Sequence, residues 1–114
     1  MEPRKAEEII PKPLAECHGG VGTLMCKSLL ENLGSEGLDL MHRDDIPAGV
    51  SIGFHEHTAN EEVYYLASGK GILTYDGKEY EMNAGDISLC KKGYSHAFSA
   101  QVDCVMIVVA SKEL

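Results

Sequence analysis

Residues 49–69, GVSIGFHEHTANEEVYYLASG, combine a strand-like alternation with the most distinctive polar side chains of the chain. His55 and His57 are two residues apart, so on a strand both side chains project from one face. Neutral imidazole is the commonest metal ligand in proteins. Glu62 opens the next predicted strand and adds an oxygen donor, and His96 lies near the start of a later strand. These four side chains are therefore candidates for one cation site.

The same period-two alternation assigns the neighbouring side chains to faces. Ser51 falls on the histidine face of its strand, whereas Ile52 and Phe54 fall on the opposite face. We therefore expect Ser51 to line the pocket beside the histidines. Phe98 and Met106 line the same pocket if their strands keep the same parity, and they would serve equally well as core residues.

Two carboxylates and two further ionisable side chains leave alternatives open. Glu61 is a rival of Glu62, but it falls on the opposite face of a strand that runs on through Tyr64. Tyr64 shares the face of Glu62 and is either a catalytic hydroxyl or plain packing. His42 lies on the apolar face of an earlier strand and is either a catalytic pocket residue or a hydrogen-bonded structural histidine. We expect Glu62 to be the ligand.

The chain from residue 37 onward predicts an all-β fold. Short runs that alternate apolar and polar residues are separated by turn residues, which gives eight or nine strands. Asp76-Gly77 between residues 71–75 and 78–82 is a hairpin signal, because a type I′ turn needs positive φ at both central residues. Many short strands at regular spacing are typical of a sandwich or barrel.

Composition excludes several classes of partner. The 114 residues carry a formal net charge of -8, which argues against a protein that binds nucleic acid or anionic membranes through basic patches. The longest apolar run, Cys104 to Ala110, is too short for a membrane span. Residues 1–8 lack the apolar stretch of a secretory signal. We therefore expect a cytoplasmic protein whose four cysteines are free thiols.

The N-terminal third lacks a clear period. Pro3, Pro11 and Pro13 interrupt any regular element, and His18 precedes two glycines in what reads as an exposed loop. We therefore divide the chain into an N-terminal arm, residues 1–36, and a barrel domain, residues 37–114.

Two spaced motifs give the chain a recognisable resemblance. The first is Gly49-(x5)-His55-x-His57-(x4)-Glu62-(x6)-Gly69, and the second is Gly85-(x5)-Lys91-x-Gly93-(x2)-His96. They resemble the two signature motifs of the cupin superfamily. In the second motif Lys91 stands where the family usually has proline and Ala100 where it usually has asparagine, and neither position is a metal ligand in the family. Lys91 adds a cation near the barrel rim and is a third catalytic candidate.

The resemblance implies a double-stranded β-helix, or jelly-roll barrel, with one divalent metal ion held by His55, His57, Glu62 and His96. Mn, Fe, Ni and Zn all suit mixed nitrogen and oxygen ligands. Small cupins are typically dimers, so the resemblance also implies a homodimer in which the N-terminal arm adds to the partner's sheet.

The resemblance allows two classes of function. The first is a metal-dependent enzyme, either a decarboxylase or isomerase or a dioxygenase, that acts on a small oxygenated metabolite such as a carboxylate or a sugar. The second is a non-catalytic module that binds or senses such a molecule. A fold that hosts many activities does not choose between them.

Overall fold

Ten strands form two antiparallel sheets in the computed structural model, which describes residues 1–114. The strands are β1 (Lys12–Ala15), β2 (Thr23–Ser28), β3 (Leu38–Ile46), β4 (Ser51–Glu56), β5 (Glu62–Ser68), β6 (Lys70–Tyr75), β7 (Lys78–Asn83), β8 (Ile87–Cys90), β9 (Ser95–Ala100) and β10 (Cys104–Ser111). One sheet has the order β1-β2-β3-β10-β5-β8 and the other β4-β9-β6-β7. The all-β jelly-roll expectation is confirmed. The helical segments are single 3₁₀ turns, and none has the length or the apolar character to span a membrane.

The hydrophobic core lies between the two sheets and follows the period of the strands. On β10, Cys104, Met106, Val108 and Ala110 are buried, while the residues between them are half-buried on the outer face. Burying a side chain the size of leucine or methionine contributes roughly 1.5–3 kcal/mol. The apolar run at residues 104–110 therefore anchors an interior strand of the six-stranded sheet to the core. All four cysteines of the chain are free thiols, as expected.

The predicted hairpin forms between β6 and β7. Asp76 has φ 48° and Gly77 has φ 81°, so both central residues have the positive φ that a type I′ turn requires. Tyr75 pairs with Lys78 directly across the turn. The hairpin supplies half of the four-stranded sheet, and β9 pairs with its β6 side.

The face assignment on β4 is wrong at Ile52 and Ser51, because β4 contains a β-bulge. Ile52 pairs with Phe98 and His55 pairs with His96, so two residues of β4, Gly53 and Phe54, lie opposite the single residue Ala97 of β9. One extra residue reverses the side-chain alternation. Ile52 therefore faces the core, 3% exposed, and His55 faces the interior as well. Ser51 is turned away from the face predicted for it.

The N-terminal segment takes part in the sheet. β1 and β2 both lie within residues 1–36 and pair with each other, and β2 pairs with β3. Leu24 and Cys26 of β2 are buried in the same core cluster as the barrel strands. The six-stranded sheet therefore extends past the boundary at residue 36 and ends at β1.

Candidate metal centre

Four side chains from three strands converge inside one end of the barrel. His55 is on β4, Glu62 begins β5 and His96 is on β9, while His57 directly follows β4. Nε2 of His96 lies 2.9 Å from Nε2 of His55, 3.1 Å from Nε2 of His57 and 3.0 Å from Oε1 of Glu62. The same Glu62 oxygen lies 3.3 Å from Nε2 of His57 and 3.6 Å from Nε2 of His55.

Hydrogen bonds at the far side of two rings determine which nitrogen faces the centre as an acceptor. Nδ1 of His55 donates to the Gly53 carbonyl oxygen at 2.8 Å, and Nδ1 of His57 donates to Oδ1 of Asn60 at 2.9 Å. The amide nitrogen of Asn60 in turn donates to the Ser111 carbonyl oxygen, which orients the amide. With Nδ1 protonated, each neutral ring directs an Nε2 lone pair toward the centre. Lone pairs that converge in this way repel one another unless a cation lies between them.

The electrostatics of the cluster favour an ionised carboxylate beside neutral imidazoles. Burial by itself raises the pKa of Glu62, but the three neighbouring imidazoles outweigh it and lower the pKa to about 2. Burial lowers the pKa of His96. Both directions keep the side chains in the protonation states that metal ligands need.

The donor set fits a divalent cation. Six ligands at about 2.1 Å from an ion place neighbouring ligands about 3.0 Å apart, which is the spacing found between His96 and the other three side chains. Three nitrogens and one oxygen leave two positions of a six-coordinate ion for water or another ligand. A closed structural zinc site usually contains thiolates and four ligands, and this cluster contains no thiolate.

Comparison with known proteins agrees with this geometry. Residues 42–110 match the family described as the cupin domain. The chain belongs to the cupin family. This cupin is 31% identical over 94 residues to the oxalate-binding protein of Thermotoga maritima. The aligned region covers 82% of this chain and 78% of that protein.

Two solved structures share the fold. A predicted oxalate decarboxylase from Thermotoga maritima superposes with a TM-score of 0.87 at 28% identity, over 96% of this chain and 97% of that chain. An RmlC-like cupin from Shewanella frigidimarina superposes with a TM-score of 0.80 at 16% identity, over 97% and 90% of the two chains. The second likeness shows the shared fold alone.

A loop from the N-terminal segment reaches the candidate metal centre of this cupin, a contact that the sequence did not predict. The His18 ring stacks on the His55 ring, with centroids 3.8 Å apart and planes 12° apart. Gly20 and Gly53 allow this approach, because a methyl group on Gly53 would overlap the His18 carbonyl oxygen and one on Gly20 would overlap the Ser51 carbonyl oxygen. The glycine at position 53, so close to two candidate ligands, was the signal available in the sequence.

The other predicted site residues fall into different places. Tyr64 is 1% exposed and its ring stacks on His96 at 4.1 Å, and burial raises the pKa of its hydroxyl. Lys91 is exposed in the turn before β9, where its carbonyl accepts a hydrogen bond from Tyr94. The turn therefore forms without the usual proline. His42 is half-buried on β3, outside the four converging side chains.

The residues expected to line the pocket have packing and linking roles. Phe98 and Met106 are 1% and 0% exposed and belong to the hydrophobic core cluster. The Ser51 hydroxyl accepts a hydrogen bond from the Val21 backbone at 2.8 Å, so it holds the N-terminal segment to β4. Glu61 is half-buried and its backbone pairs with Ser111, whereas Glu62 enters the cluster.

Proposed function

We propose that this cupin binds a small dicarboxylate of the oxalate type through one divalent cation held by His55, His57, Glu62 and His96. The observation that carries the proposal is the convergence of three imidazole nitrogens and one carboxylate oxygen, with two imidazoles held in the ligating tautomer. The cation is of the manganese, iron, nickel or zinc class. It would act as a Lewis acid toward a bound carboxylate.

The chemistry of the ligand follows from the two remaining positions on the cation. Two carboxylate oxygens on adjacent carbons can occupy two neighbouring positions together. The chain itself carries a net charge of -8, so an anion gains its attraction from the cation rather than from the protein surface. The oxalate-binding relative, at 31% identity, supports the choice of oxalate among small acids.

The residues of this chain shape the space around such a ligand. The ring of His18 covers His55 from the N-terminal side, and the ring of Tyr64 covers His96 from the core side. Both contacts fix the direction of a ligand ring without using its Nε2 atom. The loop at Cys17–Gly19 therefore borders the four converging side chains.

Oxalate should raise the melting temperature of the Mn²⁺-loaded protein. At a 100-fold excess over Kd the shift should reach roughly 10–20 °C for a domain of this size. Differential scanning fluorimetry with oxalate, succinate and formate measures it, and we expect the order oxalate, then succinate, then formate. The same series on protein stripped with a chelator should show no shift. An equal oxalate shift without metal would refute the proposal.

A metal-dependent enzyme of the decarboxylase, isomerase or dioxygenase type is the second candidate. One exposed ionisable side chain, His18, stacks directly on the ring of His55, whereas Tyr64 stacks on His96 from the buried core side. Incubation of the Mn²⁺-loaded protein with ¹³C-oxalate in air, followed by NMR, tests the decarboxylase branch. Appearance of formate with carbon dioxide favours the enzyme, and unchanged oxalate favours the binding module.

We also propose that the chain forms a homodimer through its six-stranded sheet. β1 is the outermost strand and has an unpaired edge, which invites pairing with a second copy. Pairing of this edge with the same edge of a second copy would satisfy the free backbone groups of β1 and join two sheets.

Light scattering should therefore give a mass of twice the 12.4 kDa of one chain. Deletion of residues 1–15, which removes β1, should shift the population toward the single-chain mass. A truncation of residues 1–5 leaves β1 intact and should keep the dimer. A single-chain mass for the full-length protein at all concentrations would contradict the proposal.

A further inference from the structure

A second group of metal-ligating side chains lies on β2 and β3 and shares no residue with the three-histidine cluster, although the charge of Glu62 reaches Asp44. Cys26 on β2 pairs with Asp44 on β3, and His42 lies two residues before Asp44 on the same face. One donor atom from each of the three lies within 4.8 Å of the others. Cys26 and Asp44 are 6% and 4% exposed, and His42 is half-buried. None of the three belongs to the first cluster.

One atom of this group lacks a partner. Oδ1 of Asp44 is buried and makes no hydrogen bond. A buried polar atom left in this state costs roughly 1–3 kcal/mol, and more when it carries charge. Asp44 occupies an inward-facing position two residues before the fully buried Ile46, where an apolar side chain would serve the core better. The Asp44 carboxyl hydrogen-bonds with the Cys26 thiol, but this contact leaves Oδ1 without a partner.

The donor types indicate what would satisfy Asp44. A thiolate, an imidazole and a carboxylate within one small volume are the ligands of Zn²⁺ and of chemically similar cations such as Co²⁺. We propose that Cys26, His42 and Asp44 form a second cation site, of the zinc class and separate from the three-histidine centre. Three protein ligands leave a fourth position for water. The cation would join β2 to β3 and so hold the N-terminal segment on the barrel.

The thiolate makes the second site separable from the first in a spectrum. Co²⁺ bound to a thiolate gives a charge-transfer band in the near ultraviolet, which ligation by nitrogen and oxygen alone does not give. Titration of reduced, metal-free protein with Co²⁺ should show two equivalents per chain, one of them with this band. His55→Ala should remove the other equivalent and keep the band.

Variants of the second cluster should give the converse result. Cys26→Ser should abolish the band and leave one equivalent of Co²⁺. Asp44→Asn keeps the shape of the side chain but should lower the affinity for the second Co²⁺ at least about tenfold. Loss of a residue that only hydrogen-bonds to a metal ligand already lowers metal affinity by about 10–100-fold. Circular dichroism, together with Co²⁺ binding at the three-histidine centre, shows whether each variant is folded.

Cys17→Ser is the matched cysteine control, because Cys17 is half-buried and packs against the same core cluster. It should keep both equivalents and the band. A wild-type protein that takes up one equivalent without a thiolate band would overturn the inference. So would a band that survives Cys26→Ser, or one that is lost only in Cys17→Ser.

Discussion

Replacing His96 by alanine should remove the cation from the three-histidine centre. His96 contributes the nitrogen that lies within 3.1 Å of the three other converging donor atoms, and its side chain is entirely shielded from solvent. Loss of a residue that only hydrogen-bonds to a metal ligand lowers metal affinity by about 10–100-fold. Loss of a ligand itself should therefore lower the affinity by more than roughly 100-fold. Mn²⁺ binding measured by electron paramagnetic resonance gives the affinity directly, and the oxalate-dependent thermal shift should disappear with it.

Ser99→Ala is the matched variant on the same strand. Ser99 is exposed on the outer face of β9, pairs with Ser51 across the sheet and lies outside the cluster. It should bind Mn²⁺ as the wild type does. Unchanged Mn²⁺ affinity in His96→Ala, with the variant folded, would show that the ligand assignment is wrong.

Alanine at Gly53 should destabilise the protein and disturb the metal centre together. The added methyl group would overlap the His18 carbonyl oxygen and crowd the Gly20 nitrogen, and both are backbone atoms that cannot move alone. Overpacking of this kind costs about 1–3 kcal/mol. Gly53 also accepts the hydrogen bond that orients His55, so a backbone shift there reaches a ligand. The free energy of unfolding measured in urea and the affinity for Mn²⁺ should both fall.

Gly37→Ala provides the comparison, since a methyl group at that position meets no atom within 4 Å. A surface substitution of this kind usually changes stability by less than about 0.5 kcal/mol. Gly20→Ala should behave like Gly53→Ala, because its methyl group would overlap the backbone on the other side of the same contact. Equal stability and metal affinity for the Gly53 and Gly37 variants would show that the His18 loop is not packed as described.

The two buried carboxylates of the barrel differ in how they are compensated. Glu62 is surrounded by three imidazoles, which lower its pKa to about 2 despite burial. Asp44 has a raised pKa, with burial as the largest cause, and one of its oxygens has no partner. The first carboxylate is explained by the three-histidine centre. The second is the reason for inferring a further cation.

The all-β fold and the convergence of four side chains were predictable because they depend on local spacing. Alternation along a strand is a property of the backbone, so Glu62 and not Glu61 enters the cluster. The spacing from Gly49 to Gly69 added the family resemblance. The Asp76-Gly77 turn needed only the conformational freedom of its two central residues.

The features that were missed depend on contacts between distant residues. The bulge on β4 reverses the alternation between Ile52 and His55, and it becomes visible only from the pairing with β9. The contact of His18 with His55 spans 37 positions and requires two glycines to meet backbone to backbone. Period and propensity act over a few residues, so neither could reveal these contacts.

Anomalous diffraction at the manganese edge, from crystals grown with Mn²⁺ and oxalate, would locate the cation itself. We expect a peak about 2.0–2.3 Å from Nε2 of His55, His57 and His96 and from a Glu62 carboxylate oxygen, with oxalate completing the shell. A peak that none of these four side chains contacts, or no peak in protein that binds oxalate, would contradict this expectation.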